Sequence, residues 1–141
     1  MEETLRTEIM ELAEQAKAAV VCSVNADGYP NAKAMLNLQR DGLKTFWFST
    51  NLSSKRVSQF KNNGKACIYF VNDNSFQGLM LVGAMEVCVD RETRAMLWRE
   101  GFEIYYPAGI DDGDYCVLKF EAKTGNYYHG LRNTTFEVEE F

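Results

Sequence analysis

Residues 31–64 read NAKAMLNLQRDGLKTFWFSTNLSSKRVSQFKNNG. Two strand-like runs, 31–39 and 43–50, flank Arg40-Asp41-Gly42, and Asp-Gly between such runs signals a β-hairpin. A helix follows over 53–64, with Ser53 or Ser54 as its N-cap, Gly64 as its terminator, and Val57 and Phe60 on its buried side. Upstream, 18–24 is β-rich and NADGYP (25–30) is a turn. Residues 2–18 form an amphipathic helix, because Leu5, Ile9, Leu12, Ala13 and Ala16 share one face. Downstream, strands run over 65–72 and 78–89, with Gly83 marking a bulge or bend. A helix over 90–101 is capped by Asp90, and a loop spans 102–114. A last hairpin, 115–123 with 126–130, turns at Thr124-Gly125 and leaves 132–141 as a loose acidic extension. Hairpins dominate this order. The expected fold is therefore mainly β with flanking helices: a six- to seven-stranded antiparallel sheet closed into a small barrel, in one domain over 1–141.

The chain is long enough for a real core, since about 68–70% of the unfolded surface is removed at this size. Its net charge is −5, from 15 basic and 20 acidic residues. That argues against a general nucleic-acid binder, which needs a basic face. Four cysteines (Cys22, Cys67, Cys88 and Cys116) each lie in an apolar run without a CxxC pair, so free thiols in a reducing compartment are expected. With His129 the single histidine, no zinc set and no catalytic triad is assembled. Asp111, Asp112 and Asp114 read as a solvated turn rather than a calcium loop, for lack of a distal glutamate. No run reaches the ~18–20 apolar residues of a membrane helix, and the N-terminus lacks the pattern of a signal peptide. A soluble, cytoplasmic protein with no membrane partner is the expectation.

One stretch stands apart. Between Phe48 and Phe60 sit Ser49, Thr50, Asn51, Ser53 and Ser54, followed by Lys55 and Arg56. Free backbone N–H groups and the helix dipole make a helix N-terminus attractive to anions, and hydroxyls and cations there suit a phosphate. An ordinary capped surface helix carries the same signature. No glycine pattern of a Walker A loop is present. If the 31–50 hairpin is tight, Lys33 pairs with Ser49 or Thr50 and brings a third cation; by itself it reads as a solvent-facing lysine.

The pattern YPNAKAM…DGLKTFWFSTNLSSKRVSQFKNN resembles the flavin-binding split barrel of the pyridoxamine 5′-phosphate oxidase-like proteins. GLMLVGAMEVCVD, LWREGFEIYYPAG and DYCVLKFEAKTGNYY resemble its general-stress-protein branch, so that the likeness spans about 8–130. The resemblance implies a homodimer with FMN in a cleft between subunits. It implies a phosphate site at Lys33, three residues after Pro30, where arginine is common; lysine lacks the bidentate fork. Phe48, Ser49, Thr50, Ser54, Lys55 and Arg56 would supply donors to the phosphate and ring edge. Ala34, Met35, Leu36 and Asn37 would flank the isoalloxazine, and Gln77 would approach it. Trp98, Tyr106 or Tyr128 could cover flavin or substrate from the partner subunit, or serve as packing. HGLRN (129–133) does not match the substrate-phosphate motif of the true oxidases, so vitamin B6 oxidation is not implied. What is implied is a flavin-dependent oxidoreductase acting on a small redox substrate. The alternatives are a flavin sensor or store, a barrel for haem or a deazaflavin, and, from outside the family, an oligonucleotide-binding barrel.

Overall fold

Asp41 and Gly42 do turn the chain, but the hairpin they close is short. The computed structural model describes residues 1–141, and its chain runs α1 (Glu3–Gln15), β1 (Ala18–Val24), β2 (Pro30–Leu36), β3 (Gln39–Asp41), β4 (Thr45–Asn51) and α2 (Lys55–Asn62). It continues through β5 (Lys65–Asn72), β6 (Gln77–Cys88), α3 (Arg91–Leu97), β7 (Tyr115–His129) and β8 (Arg132–Glu137), with 3-10 turns at Phe102–Ile104, Gly109–Asp111 and Val138–Glu140. The spacing predicts one strand over 31–39; the structure splits it in two. Asn37 is the reason. Its amide group donates to the carbonyls of Ala13 (2.7 Å) and Ala16 (2.9 Å), and its N–H donates to Lys17 (3.1 Å). The chain is thereby pinned to the end of α1, leaves β1 and joins β4. β2 pairs with β1, placing Lys33 opposite Val21, while β3 pairs Gln39 with Trp47 and Asp41 with Thr45. The expected pairing of Lys33 with Ser49 or Thr50 does not form, because the β3–β4 ladder ends at Gln39–Trp47 and β2 pairs with β1 instead.

The strands form one antiparallel, eight-membered sheet in the order β2-β1-β5-β6-β7-β4-β3, with β8 added to β7. The sheet curls into a half-barrel. Alternation along the strands fills its concave side with Phe46, Phe48, Ile68, Phe70, Leu79, Leu81 and Phe120, all fully buried. α1 closes over this core with Ile9, Leu12 and Ala13, and α2 with Val57 and Phe60. The curl needs Gly83. The ladder between β6 and β7 slips between Val82 (opposite Thr124) and Gly83 (opposite Ala122), and a Cβ on Gly83 would lie 1.9 Å from the Glu121 carbonyl oxygen.

Two expectations at the C-terminal end are corrected. Thr124-Gly125 does not turn; β7 runs through it, since β6 continues to pair beyond (Leu81 with Gly125, Leu79 with Tyr127). The turn falls at Gly130, which has φ +62°. Residues 132–141 are not loose. β8 pairs with the second half of β7, Phe136 and Val138 are buried, and Arg6 donates to the carbonyls of Glu140 (3.0 Å) and Phe141 (3.2 Å). This added strand and the short β3, less the one lost when 115–123 and 126–130 fuse into β7, bring the expected six or seven strands to eight. Asp90 caps α3 as expected, accepting from the Thr93 N–H at 3.0 Å. That helix stops at Leu97 because Trp98 turns inward, edge-on to Phe102 (5.6 Å) and Tyr115 (5.2 Å), and seeds a second, smaller core. No helix is long and apolar enough to cross a membrane.

Candidate functional site

α2 begins as its sequence demands: the Ser54 hydroxyl accepts from the Val57 N–H. The donors before it are already engaged. Asp114, at the end of the long loop after α3, accepts from the Ser53 N–H (2.9 Å), the Ser53 hydroxyl (3.0 Å) and the Asn51 amide (3.0 Å). The Ser53 bonds, with Asn51 adding to them, hold the Asp114 carboxyl below its usual range. The chain's own carboxylate thus occupies the loop donors that the sequence offers to an external anion.

None of the three cations forms an ion pair. Lys33, Lys55 and Arg56 line one hollow of about 160 Å³, together with Val21, Ser23, Asn31, Ala32 and Gln59. Lys33 arrives by way of β1, not β4: it sits opposite Val21 on the β1–β2 hairpin, and α2 lies against β1. Both lysines are exposed, whereas Arg56 is half-buried. One Arg56 terminal nitrogen donates to the Thr50 hydroxyl at 2.8 Å, while its Nε is buried without any partner. A buried N–H of a cation with nothing to donate to is costly. No carboxylate lines the hollow, so this acidic chain presents a small recess whose only charged side chains are cations. Ser23 and Gln59 hydrogen-bond each other at its floor. An adjoining groove of about 440 Å³ shares Lys55 and Gln59 and adds Asn25, Ser58, Asn62 and Asn63.

The remaining candidates lie elsewhere. Ala34 and Leu36 are exposed on β2, an edge strand whose free side has no ladder partner; Met35, between them, is core. Asn37 is spent on α1. Phe48 is fully buried, and Ser49 is half-buried on β4. Gln77 donates to the Tyr127 hydroxyl at 2.7 Å and lines a different, acidic hollow with Glu8, Glu11 and Asp73. Trp98 and Tyr106 pack within their own chain: Tyr106 is 5% exposed, donates to the Asn51 side-chain oxygen at 3.2 Å, and burial pushes its phenol up to about 12. Tyr128 shares a hydrogen bond of 2.6 Å with Tyr69, beside the ring of Phe76. Sequence reasoning passes over Ser23, Asn31 and Gln59, and takes Asp114 only as part of a solvated turn. Two of these have a signal: Asn31 alternates with Lys33 on one strand face, and Gln59 follows Lys55 by one helical turn. Asp114 has none, being distant in sequence.

Residues 5–139 match the family described as pyridoxamine 5′-phosphate oxidase like. No curated protein matches the chain. Among solved structures it is similar to a Clostridium acetobutylicum protein related to general stress protein 26 of Bacillus subtilis, of the pyridoxinephosphate oxidase family (52% identity, 99% of each chain covered, TM-score 0.90). It shares its fold with general stress protein 26 of Bacillus anthracis (16% identity, 94% of this chain and 98% of that one, TM-score 0.76). It also shares it with a heme binding protein of Mycobacterium smegmatis (14% identity, 99% of this chain and 60% of that one, TM-score 0.78).

Proposed function

We propose, from the premise that this chain belongs to the pyridoxamine 5′-phosphate oxidase-like family, that it is a homodimeric, cytoplasmic flavin-dependent oxidoreductase holding FMN by its phosphate between the β1–β2 hairpin and α2. The observation that carries this is the recess lined by Lys33, Lys55 and Arg56 without any carboxylate. A phosphate there accepts from the cationic side chains that line the recess, and its charge balances theirs. The residues present therefore fit the group. Lys33 and Lys55 would act as point charges and Arg56 as the oriented donor, with Thr50 fixing the guanidinium. The unpaired edge of β2, with Ala34 and Leu36 exposed beside it, offers backbone donors and acceptors for the ring. When bound, the flavin supplies the redox chemistry, and the protein supplies position, charge and exclusion of water. Ile104 and Tyr105, 82% and 69% exposed, are apolar surface of the kind that a second subunit covers.

Haem has a structural neighbour in its favour. Yet the single imidazole, His129, is held by Glu8 at 3.1 Å and lines none of this recess. The visible spectrum of purified protein, recorded before and after adding FMN, decides between these readings. Two flavin bands that persist through gel filtration, that bleach with a reduced nicotinamide and that return on adding a small acceptor, are expected. A protein that leaves FMN free in solution overturns the proposal, and bands that never bleach with any donor reduce it to flavin storage.

A further inference from the structure

Cys22 lies on β1 and Cys67 on β5, and the antiparallel register sets them directly opposite one another. The flanking pair, Val21 and Ile68, is buried, so both thiols project to the outer face of the sheet, where they are free and partly exposed. Opposed residues have Cα atoms about 4.5–5.5 Å apart, inside the roughly 4.4–6.8 Å that disulfides span. Their Cβ atoms, about 4.5–5.5 Å apart, must close to about 3.5–4.5 Å. A bridge is within reach of a small movement, and the tension it leaves makes it easy to reduce. The other two cysteines cannot do this. Cys88 opposes Val117, so Cys116, the next residue along β7, points to the opposite face, and both are buried.

We propose that Cys22 and Cys67 form a reversible cross-strand oxidation site, closed to a disulfide by a peroxide and reopened by a dithiol. Whichever thiol reacts first attacks a peroxide oxygen as its thiolate. The O–O bond breaks, the sulfur loses two electrons to become a sulfenic acid, and one water leaves. The second sulfur displaces the sulfenic oxygen as a second water. Two thiols and one hydrogen peroxide thus become one disulfide and two waters; a dithiol reverses the bridge and departs as its own cyclic disulfide. Burial, and then the neighbouring Cys22, push the Cys67 thiol up to about 12. The reaction is therefore slow near neutrality and quickens as pH rises.

The test treats the native protein with excess hydrogen peroxide, blocks remaining thiols by alkylation, and digests with trypsin and a glutamate-specific protease. Cleavage after Glu86 separates Cys67 from Cys88. The expected product is a protein lighter by two hydrogens, with one peptide pair joining Cys22 to Cys67, lost on adding dithiothreitol. Cys67→Ser gives no bridge and leaves Cys22 to over-oxidise. Protein unfolded in urea and treated alike gives mixed pairings, which identifies the folded register as the selector. Unmodified thiols, sulfinic or sulfonic acids without a bridge, or a native bridge involving Cys88 or Cys116 would overturn the assignment.

Discussion

At the scale of single residues, the recess rests on charges that arrive from two directions. Lys55 is exposed and stabilises nothing visible, so Lys55→Ala should weaken FMN binding about tenfold or more, as a charge-assisted contact of about 1.5–3 kcal/mol implies, with an unchanged melting temperature. Lys33→Ala should do the same, and Lys33→Arg, which restores a fork, should tighten binding. Flavin-fluorescence titration reads all three; equal affinities across the set would remove the recess from consideration. Arg56→Ala is a poorer probe, because Arg56 also holds Thr50. Asp114 offers a separate prediction. Its folded carboxyl is depressed by the Ser53 and Asn51 bonds, so its contribution to stability is present above the unfolded carboxylate range and lost as pH falls through the lower folded value. Asp114→Asn should therefore melt earlier than the parent at neutral pH, and the gap should close in acid. Parallel melting curves at every pH would show that the carboxylate does not hold the loop. The cationic cluster was legible in the sequence, though Lys33 reaches it by a different strand from the one expected. That happened because Asn37, whose role is tertiary, cuts the strand short, and no local pattern announces a side chain that binds another element's carbonyls.

At the scale of elements, local signals read well where the element itself decides. Ser54 and Asp90 cap α2 and α3 because a cap is a property of adjacent residues. Gly83 reads as a bend because glycine in a long strand usually accommodates close backbone. Gly83→Ala should cost about 1–3 kcal/mol or more, seen as a lower urea midpoint, since its Cβ would meet a backbone carbonyl that cannot step aside. A midpoint within error of the parent would mean the bulge is not fixed by this contact. Thr124-Gly125 was misread for the complementary reason. Alone it looks like a turn, but β6 presents a ladder that carries β7 straight on, and Phe136 packs so closely over Gly125 that a Cβ there would lie 2.3 Å from its ring. The acidic tail hid a strand whose apolar residue, Phe136, faces in. Phe136→Ala should destabilise by about 3–5 kcal/mol, whereas a residue on a loose tail would shift stability by less than about 0.5 kcal/mol. Denaturant unfolding separates those outcomes plainly.

At the scale of the whole molecule, the open features lie on one side of the energetics. The curled sheet satisfies its core but leaves the β2 edge unpaired, and the loop after α3 carries Ile104 and Tyr105 into solvent. Exposed apolar surface of this kind is what a second subunit would cover. If FMN lies in a cleft completed by a second copy, flavin binding and dimerisation are linked, and each must strengthen the other by the same factor. Ligand at one hundred times its dissociation constant contributes about 2.7 kcal/mol to the state that binds it. Sedimentation at decreasing protein concentration should thus show dissociation of the flavin-free protein well before that of the loaded one. Lys33→Ala, altering the phosphate contact but not the exposed apolar surface, should leave the flavin-free curve in place and shrink the shift that FMN produces. A monomer that binds one FMN with the affinity of the dimer would break the linkage, and would place the whole flavin site within a single half-barrel.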